Sequence, residues 1–280
     1  MQVVRDPKTF REACEAARAR GARVGLVPTM GALHEGHLSL VDRAKHEGAT
    51  FVALTIFVNP LQFAAHEDLG RYPRTLEADL EACRSRGVDL VFAPEDGSMY
   101  PPGFQTEVAV GEITKRWEGV HRPSHFAGVT TVVCKLFALT GPSVAVFGRK
   151  DYQQWRVIER MTLDLDLPID VVGHPIVREE DGLALSSRNR YLSPEERTRA
   201  LGIARGLHAA NEAWRAGMRD ADALRAIVRG PVEAAFDSID YVAVASPRSL
   251  EPLEGSATEA VILVAAHVGR TRLIDNLELA

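Results

Sequence analysis

A chain of 280 residues, 46% apolar and 25% charged, has an ordinary globular composition and suits one large domain or two modest ones. Its formal net charge of −5 argues against a nucleic-acid binder, because a phosphate backbone rewards a basic surface, whereas a nucleotide needs only a local cluster of donors. The three cysteines, Cys14, Cys83 and Cys134, lack C-x-x-C spacing and argue against a zinc ribbon or a disulfide framework.

Phe10–Arg20 reads as a helix and Arg23–Val27 as a buried strand. Helical periodicity returns at His37–Glu47, and Thr50–Val58 is an apolar, β-branched run too short for a core helix. Thr75–Arg86 is helical, Asp89–Ala93 a strand, Val129–Thr140 a helix, Val144–Phe147 a strand, Tyr152–Leu163 a helix and Ile169–Val172 a strand. Strands alternating with helices predict parallel β-α-β units and a doubly wound sheet. The pattern changes after Val177. Ser193 and Glu196 have capping-box spacing for a helix reaching about Trp214, and Ala221–Ala235 gives another. Tyr241–Ala245 and Ala260–Val268 then read as strands, so a smaller α+β domain is expected over residues 177–280 after an α/β domain over 1–176. The N-terminus shows no apolar signal-peptide core, and no uncharged apolar run approaches the ~18 residues of a membrane span. A soluble, cytoplasmic protein is expected.

Four segments carry candidate chemistry. Pro28–His37 leaves a predicted strand and opens a predicted helix, where free N–H groups and the helix dipole favour phosphate. Gly31 and Gly36 permit close backbone approach, and His34 and His37 stand three apart, so they share a face of a helical turn. Two imidazoles there can donate to charge developing on a phosphate. The spacing is shorter than the H-E-x-x-H of a zinc protease, and a structural histidine pair is the plain alternative. The chain has neither G-x-G-x-x-G nor G-K-[ST]. Phe147–Gln154 is a second strand end, with a turn at Gly148, a mobile cation in Lys150 and an amide in Gln154; solvated charges on a glycine turn explain it equally well. Leu185–Asn189 sets two hydroxyls beside a guanidinium, a grip for polyphosphate or simply a capped polar loop. Ile56–Phe63 begins at a strand end, and buried Asn59 and Gln62 there would need partners.

Taken in order, P-T-M-G-A-L-H-E-G-H, I-F-V-N-P-L-Q-F, Y-P-R-T-L-x-x-D-L, R-P-S-H-F-x-G-V, F-G-x-K-D-Y-Q-Q and D-G-L-A-L-S-S-R-N-R-Y-L resemble the pantothenate synthetase (pantoate–β-alanine ligase) family of the HxGH nucleotidyltransferases. The resemblance covers nearly the whole chain. It implies a Rossmann-like doubly wound parallel sheet with a smaller α+β C-terminal domain acting as a lid. It implies condensation of pantoate with β-alanine through a pantoyl adenylate, with ATP and Mg²⁺, usually in a homodimer. Nucleic acid and membrane are not expected as partners.

By position, the resemblance gives ATP to Met30, Gly31, Ala32, Leu33, His34, Glu35, Gly36 and His37, with His37 as proton donor and His34 beside it at the phosphates. Gly148, Arg149, Lys150 and Asp151 follow at ATP, with Lys150 reaching the phosphates. Val177 falls to adenine or ribose, and Leu185, Ser186, Ser187 and Arg188 to the triphosphate. Gln62 and Gln154 fall to pantoate, Gln62 also lying near β-alanine, with Asn59 and Tyr72 as further candidates for the acid pocket. No metal ligands follow from the pattern. Arg149 stands where the family commonly has Glu and is expected to face solvent; Leu185 replaces a frequent Met. Gln62–Tyr72 is a candidate loop for shielding the adenylate. The competing readings are an adenylyltransferase that stops at an adenylated product, an aminoacyl-tRNA synthetase, and a nucleotide sensor without turnover.

Overall fold

The computed structural model describes residues 1–64 and 69–280. The candidate loop Gln62–Tyr72 therefore lies partly outside the described residues.

The first unit comprises Met1–Arg149 and Gln154–Pro175. In chain order it carries β1 (Gln2–Val4), α1 (Pro7–Ala19), β2 (Val24–Thr29), α2 (Glu35–His46), β3 (Phe51–Ile56), α3 (Leu76–Ser85), β4 (Leu90–Phe92), the short α4 (Asp96–Met99) and α5 (Glu118–His121), α6 (His125–Thr140), β5 (Ser143–Gly148), α7 (Tyr152–Asp164) and β6 (Ile169–His174). The strands form one sheet in the order β1-β4-β3-β2-β5-β6. All its pairings are parallel. Such a sheet is covered on both faces, which is why β2, β3 and β5 are almost continuously apolar and buried.

Local chemistry sets the helix starts. Asp6 caps α1 by accepting from the Thr9 amide, with Pro7 at the first helical position. Phe10, Cys14 and Ala17 then form a buried stripe, and Phe10 stacks on Phe92 of β4 at 4.5 Å. Helix α6 buries residues on nearly every face, as its uninterrupted apolar composition requires. Burial pushes the Cys14 and Cys83 thiols up to about 12 and raises Cys134 above its ordinary range, so all three are poor nucleophiles.

Strand order reverses between β2 and β5. These two strands pair only at Gly25↔Val144 and Leu26↔Ala145. Yet β2 stays paired with β3 to Thr29↔Ile56, and β5 with β6 to Gly148↔His174. The sheet therefore opens at its carboxyl edge between these strands, the crevice where doubly wound folds bind ligands.

The second unit comprises Lys150–Gln153 and Ile176–Ala280. Its first piece, which includes Tyr152 and Gln153 at the start of α7, falls in the domain expected over residues 1–176. The unit contains α8 (Pro194–Arg215), α9 (Ala221–Glu233) and an antiparallel sheet of β7 (Ser238–Ala245), β8 (Ala260–Val268) and β9 (Thr271–Leu279). The expected capping box is present: Ser193 accepts from the Glu196 amide and Glu196 accepts from the Ser193 amide. The core gathers Trp214, Leu224, Val228, Ile262 and Val264. A Cβ on Gly206 of α8 would lie 2.8 Å from the Val228 carbonyl oxygen, so α8 and α9 touch backbone to side face there. Among the described residues no helix is long and apolar enough to cross a membrane.

Gly206→Val should therefore overpack a contact with backbone, which cannot yield as a side chain can. Urea unfolding should show a loss of about 1–3 kcal/mol. A loss below about 0.5 kcal/mol would show that the helices separate freely.

Candidate nucleotide and acid site

The loop after β2 is fixed before any ligand enters. The Thr29 hydroxyl donates to the Thr55 carbonyl at 2.6 Å and accepts from the Gly31 amide at 3.2 Å. Gly31 has φ +85° and Ala32 φ +51°, so the backbone turns through the left-handed region twice. For Ala32 this is unfavourable, and something must hold it. The holder is Asp79 of α3, which is buried to 3% exposure. Its carboxylate accepts from the Ala32 amide at 3.0 Å, the Leu33 amide at 2.8 Å and the Thr75 hydroxyl at 3.2 Å. Asp79 stands within Y-P-R-T-L-x-x-D-L with nothing local to mark this role, since an acid in the first turns of a helix has an ordinary electrostatic reason to be there.

His34 and His37 come together as expected, but not on a helical face. His34 is the N-cap of α2 and His37 its third residue. The ring centroids lie 4.1 Å apart. His34 Nδ1 accepts from the Gly36 amide at 3.2 Å, and His37 Nδ1 accepts from the His34 amide at 3.4 Å. An acceptor nitrogen has its lone pair engaged, so in each neutral ring the hydrogen sits on Nε2. The pair is a capping box made of histidines that keeps two Nε2–H donors at the start of α2.

Asn59 and Gln62 join this loop. Gln62 Nε2 donates to Met30 Sδ at 3.3 Å, and its Oε1 accepts from Asn59 Nδ2 at 3.0 Å. Asn59 also donates to the Gly128 carbonyl and accepts from the Leu61 amide and the Tyr100 hydroxyl. Burial, and then Asp96, raise the Tyr100 hydroxyl above the ordinary phenol range and keep it a donor. Asn59 is 1% exposed with both amide hydrogens and both carbonyl positions in use, so it orders the pocket rather than offering a group to it. Tyr72 is buried with its ring edge-on to Phe63. A cavity of about 530 Å³ lies beside the loop, lined by Met30, Gly31, Phe57, Thr75, Asp79 and Glu95 among others. Gln154 is half-buried in the first turn of α7.

Arg149 does not face solvent as expected. It is half-buried, with its guanidinium 4.9 Å from the Trp155 ring centroid. A Cβ on Gly173 would lie 2.8 Å from Arg149 Nε, so the glycine opens the space the arginine fills. The cation–π stack and the gap at Gly173 explain the difference. His174 is next in the strand. Burial, then the Arg43 and Arg149 guanidiniums, hold it below the ordinary imidazole range, with Asp42 pulling the other way.

In the second unit, Val177 and Leu185 meet directly, the Leu185 amide donating to the Val177 carbonyl at 3.0 Å. Ser186 caps the short turn Ser187–Tyr191, accepting from the Arg188 amide. The Lys150 carbonyl accepts from Asn276 Nδ2 at 2.9 Å, which fixes the backbone beneath its side chain. Among the described residues, no group of three or more His, Cys, Asp or Glu is placed to hold a metal ion.

A parallel doubly wound sheet with an H-x-G-H loop at its switch point defines a nucleotide-binding protein of the HxGH type. The pantoate-β-alanine ligase family matches residues 2–278, and the chain belongs to that family of ATP-dependent ligases. It is 54% identical to the pantothenate synthetase of Roseiflexus sp. (strain RS-1) over 97% of this chain and 98% of the relative. It is 50% identical to that of Rhizorhabdus wittichii over 99% and 98%. A solved pantothenate synthetase from Thermus thermophilus superposes with TM-score 0.93 at 47% identity, covering 100% of this chain and 99% of that one. A pantoate-β-alanine ligase from Francisella tularensis, complexed with β-γ ATP and β-alanine, superposes with TM-score 0.82 at 31% identity over 99% and 97%.

Two substitutions probe these supports. Asp79→Asn sets an amide hydrogen against a backbone N–H; unfolding should weaken by about 1.5–3 kcal/mol. Turnover should fall on the order of 10²-fold as the histidine loop shifts. Full activity with unchanged stability would show that the loop holds itself. Arg149→Glu should raise the His174 pKa toward its ordinary 6.5, read by NMR titration. The lowered value means His174 stabilises the fold fully above about pH 6.5 and less as pH falls through the folded value, so the variant should also lose less stability on acidification. An unmoved titration would separate the two side chains.

Proposed function

We propose that this chain condenses (R)-pantoate with β-alanine to pantothenate through a pantoyl adenylate. A carboxylate is a poor electrophile because its leaving group would be oxide. In the first step its oxygen attacks the α-phosphorus of ATP and pyrophosphate leaves. In the second, the amine of β-alanine attacks the acyl carbon and AMP leaves with the former carboxylate oxygen. Pantothenate is the product, and the place of the reaction is the synthesis of coenzyme A. The protein's task is to position three substrates and to stabilise charge; no covalent nucleophile is needed.

The observation that carries this reading is the histidine capping box. Both Nδ1 atoms accept from backbone amides, so His34 and His37 serve as Nε2–H donors to phosphate oxygens. A strict proton donor would be an imidazolium with hydrogen on both nitrogens, and an Nδ1–H would oppose the amide that now donates to it. His37 therefore acts as a charge-stabilising donor. Met30–His37 and Gly148–Asp151 bind the nucleotide, Lys150 at the phosphates. Val177 lies against adenine or ribose. The proposal gives the second unit the role of a lid, with Leu185, Ser186, Ser187 and Arg188 serving the triphosphate. Gln62 and Gln154 hold pantoate, Gln62 reaches the β-alanine subsite, and Tyr72 walls the acid pocket. Mg²⁺ enters as part of the substrate MgATP. An ion of this kind is held mainly by phosphates and water. The working form in this proposal is a cytoplasmic homodimer.

Pantoate-dependent exchange of pyrophosphate into ATP, without β-alanine, isolates the first step. His37→Ala and Lys150→Ala should each lower that exchange on the order of 10²–10³-fold with the fold intact. Undiminished exchange in either variant would remove that residue from the chemistry. AMP release requiring all three substrates separates this ligase from an adenylyltransferase.

A further inference from the structure

The segment Arg122-Pro-Ser-His125 and the start of α6 have no part in the roles above, yet they converge on Gln62. The Gln62 carbonyl faces His125 Nδ1 at 3.0 Å and accepts from Arg122 Nη2 at 3.3 Å. Arg122 Nη1 lies 3.2 Å from His125 Nε2. Arg122 itself is paired with Glu118 of α5 at 3.9 Å. His125, Gln62 and Glu118 are 7%, 8% and 8% exposed.

Two neighbours of the ring demand the same tautomer. Arginine only donates, so Nε2 must be the acceptor. A carbonyl only accepts, so Nδ1 must carry the hydrogen. His125 thus bears Nδ1–H toward the Gln62 carbonyl, the reverse of His34 and His37. The same logic orients the amides. The Gly128 carbonyl must accept, and the Leu61 amide must donate, so the Asn59 nitrogen faces Gly128 and its oxygen faces Leu61. Asn59 then donates to Gln62 Oε1, which leaves Gln62 presenting its NH₂ on the Met30 side. The turn Pro60–Gln62 also rests on bare backbone: a Cβ on Gly128 would lie 2.3 Å from the Leu61 carbonyl oxygen and 2.5 Å from the Gln62 nitrogen.

We propose that His125, its tautomer set by Arg122, is a positioning residue that holds the Gln62 backbone so that the Gln62 NH₂ meets an acceptor oxygen of pantoate. This rests on the reading that Gln62 binds pantoate. Gln62 is held at both ends, its carbonyl by His125 and Arg122 and its side-chain oxygen by Asn59. A lost donor at the carbonyl lets the short turn rotate and the NH₂ swing away. The acid should then bind poorly while the nucleotide, held by other residues, does not.

The test is steady-state kinetics of His125→Ala and His125→Asn beside Gln62→Ala, with circular dichroism and melting as controls. An asparagine nitrogen can stand in for Nδ1–H. His125→Ala should raise the pantoate KM about tenfold or more with the ATP KM within about twofold. His125→Asn should recover most of that loss. A pantoate KM within twofold in His125→Ala, an equal rise in the ATP KM, or no recovery in His125→Asn would overturn the inference. A defect in Gln62→Ala without one in His125→Ala overturns the inference alone; an unchanged pantoate KM in Gln62→Ala overturns the underlying reading, and this inference with it. Should His125→Ala fail to fold, ¹⁵N NMR of the unmodified protein decides: hydrogen on Nδ1 is expected, and a ring with hydrogen on Nε2 would contradict the proposal.

Discussion

Strands β2 and β5 share hydrogen bonds over only two residue pairs and then part. The candidate nucleotide site depends on that divergence. Each strand keeps its outer partner to the end, so the sheet does not fray; it opens along one line. The β2 loop leads straight into α2, and its orphan amides would face the crevice as a positive end. A sheet paired to its edge would leave the same residues no room for a nucleotide between the strands.

An open edge needs a rigid rim. The Met30–His37 loop adopts a backbone that Ala32 would not choose, and a buried carboxylate holds it. The rim then takes its hydrogen-bond polarity from the backbone. Amides fix the tautomers of His34 and His37, and the Gly128 carbonyl with the Leu61 amide fixes the orientation of Asn59. Preorganised donors of this kind need no rearrangement as charge develops, the condition under which they stabilise a transition state most. Buried polar groups with every position satisfied also specify one arrangement of the pocket.

Much of this was legible in the chain. The alternation of strands and helices gave the doubly wound sheet, because buried parallel strands must be short apolar runs. Strand β1 escaped notice at three residues, and β9, Thr271–Leu279, because its charged and amide residues at Arg272, Asp275, Asn276 and Glu278 interrupt the apolar pattern. The histidine pair and the Asn59–Gln62 turn were recognisable as candidate site residues by type and by position at strand ends, and the structure brings each pair together. Their supports were not. Asp79 lies 47 positions from Ala32 and His125 63 positions from Gln62, and nothing local marks either as a partner. Arg149 was misjudged for the same reason: Gly173 makes its space, and that vacancy is a property of the adjacent strand.

The central claim is that the carboxylate becomes an acyl adenylate. Pantoate labelled with ¹⁸O in its carboxylate tests it most directly. Attack on the α-phosphorus and expulsion of AMP by β-alanine predict one ¹⁸O in each AMP formed. Label recovered in orthophosphate or in water, with none in AMP, would contradict the account.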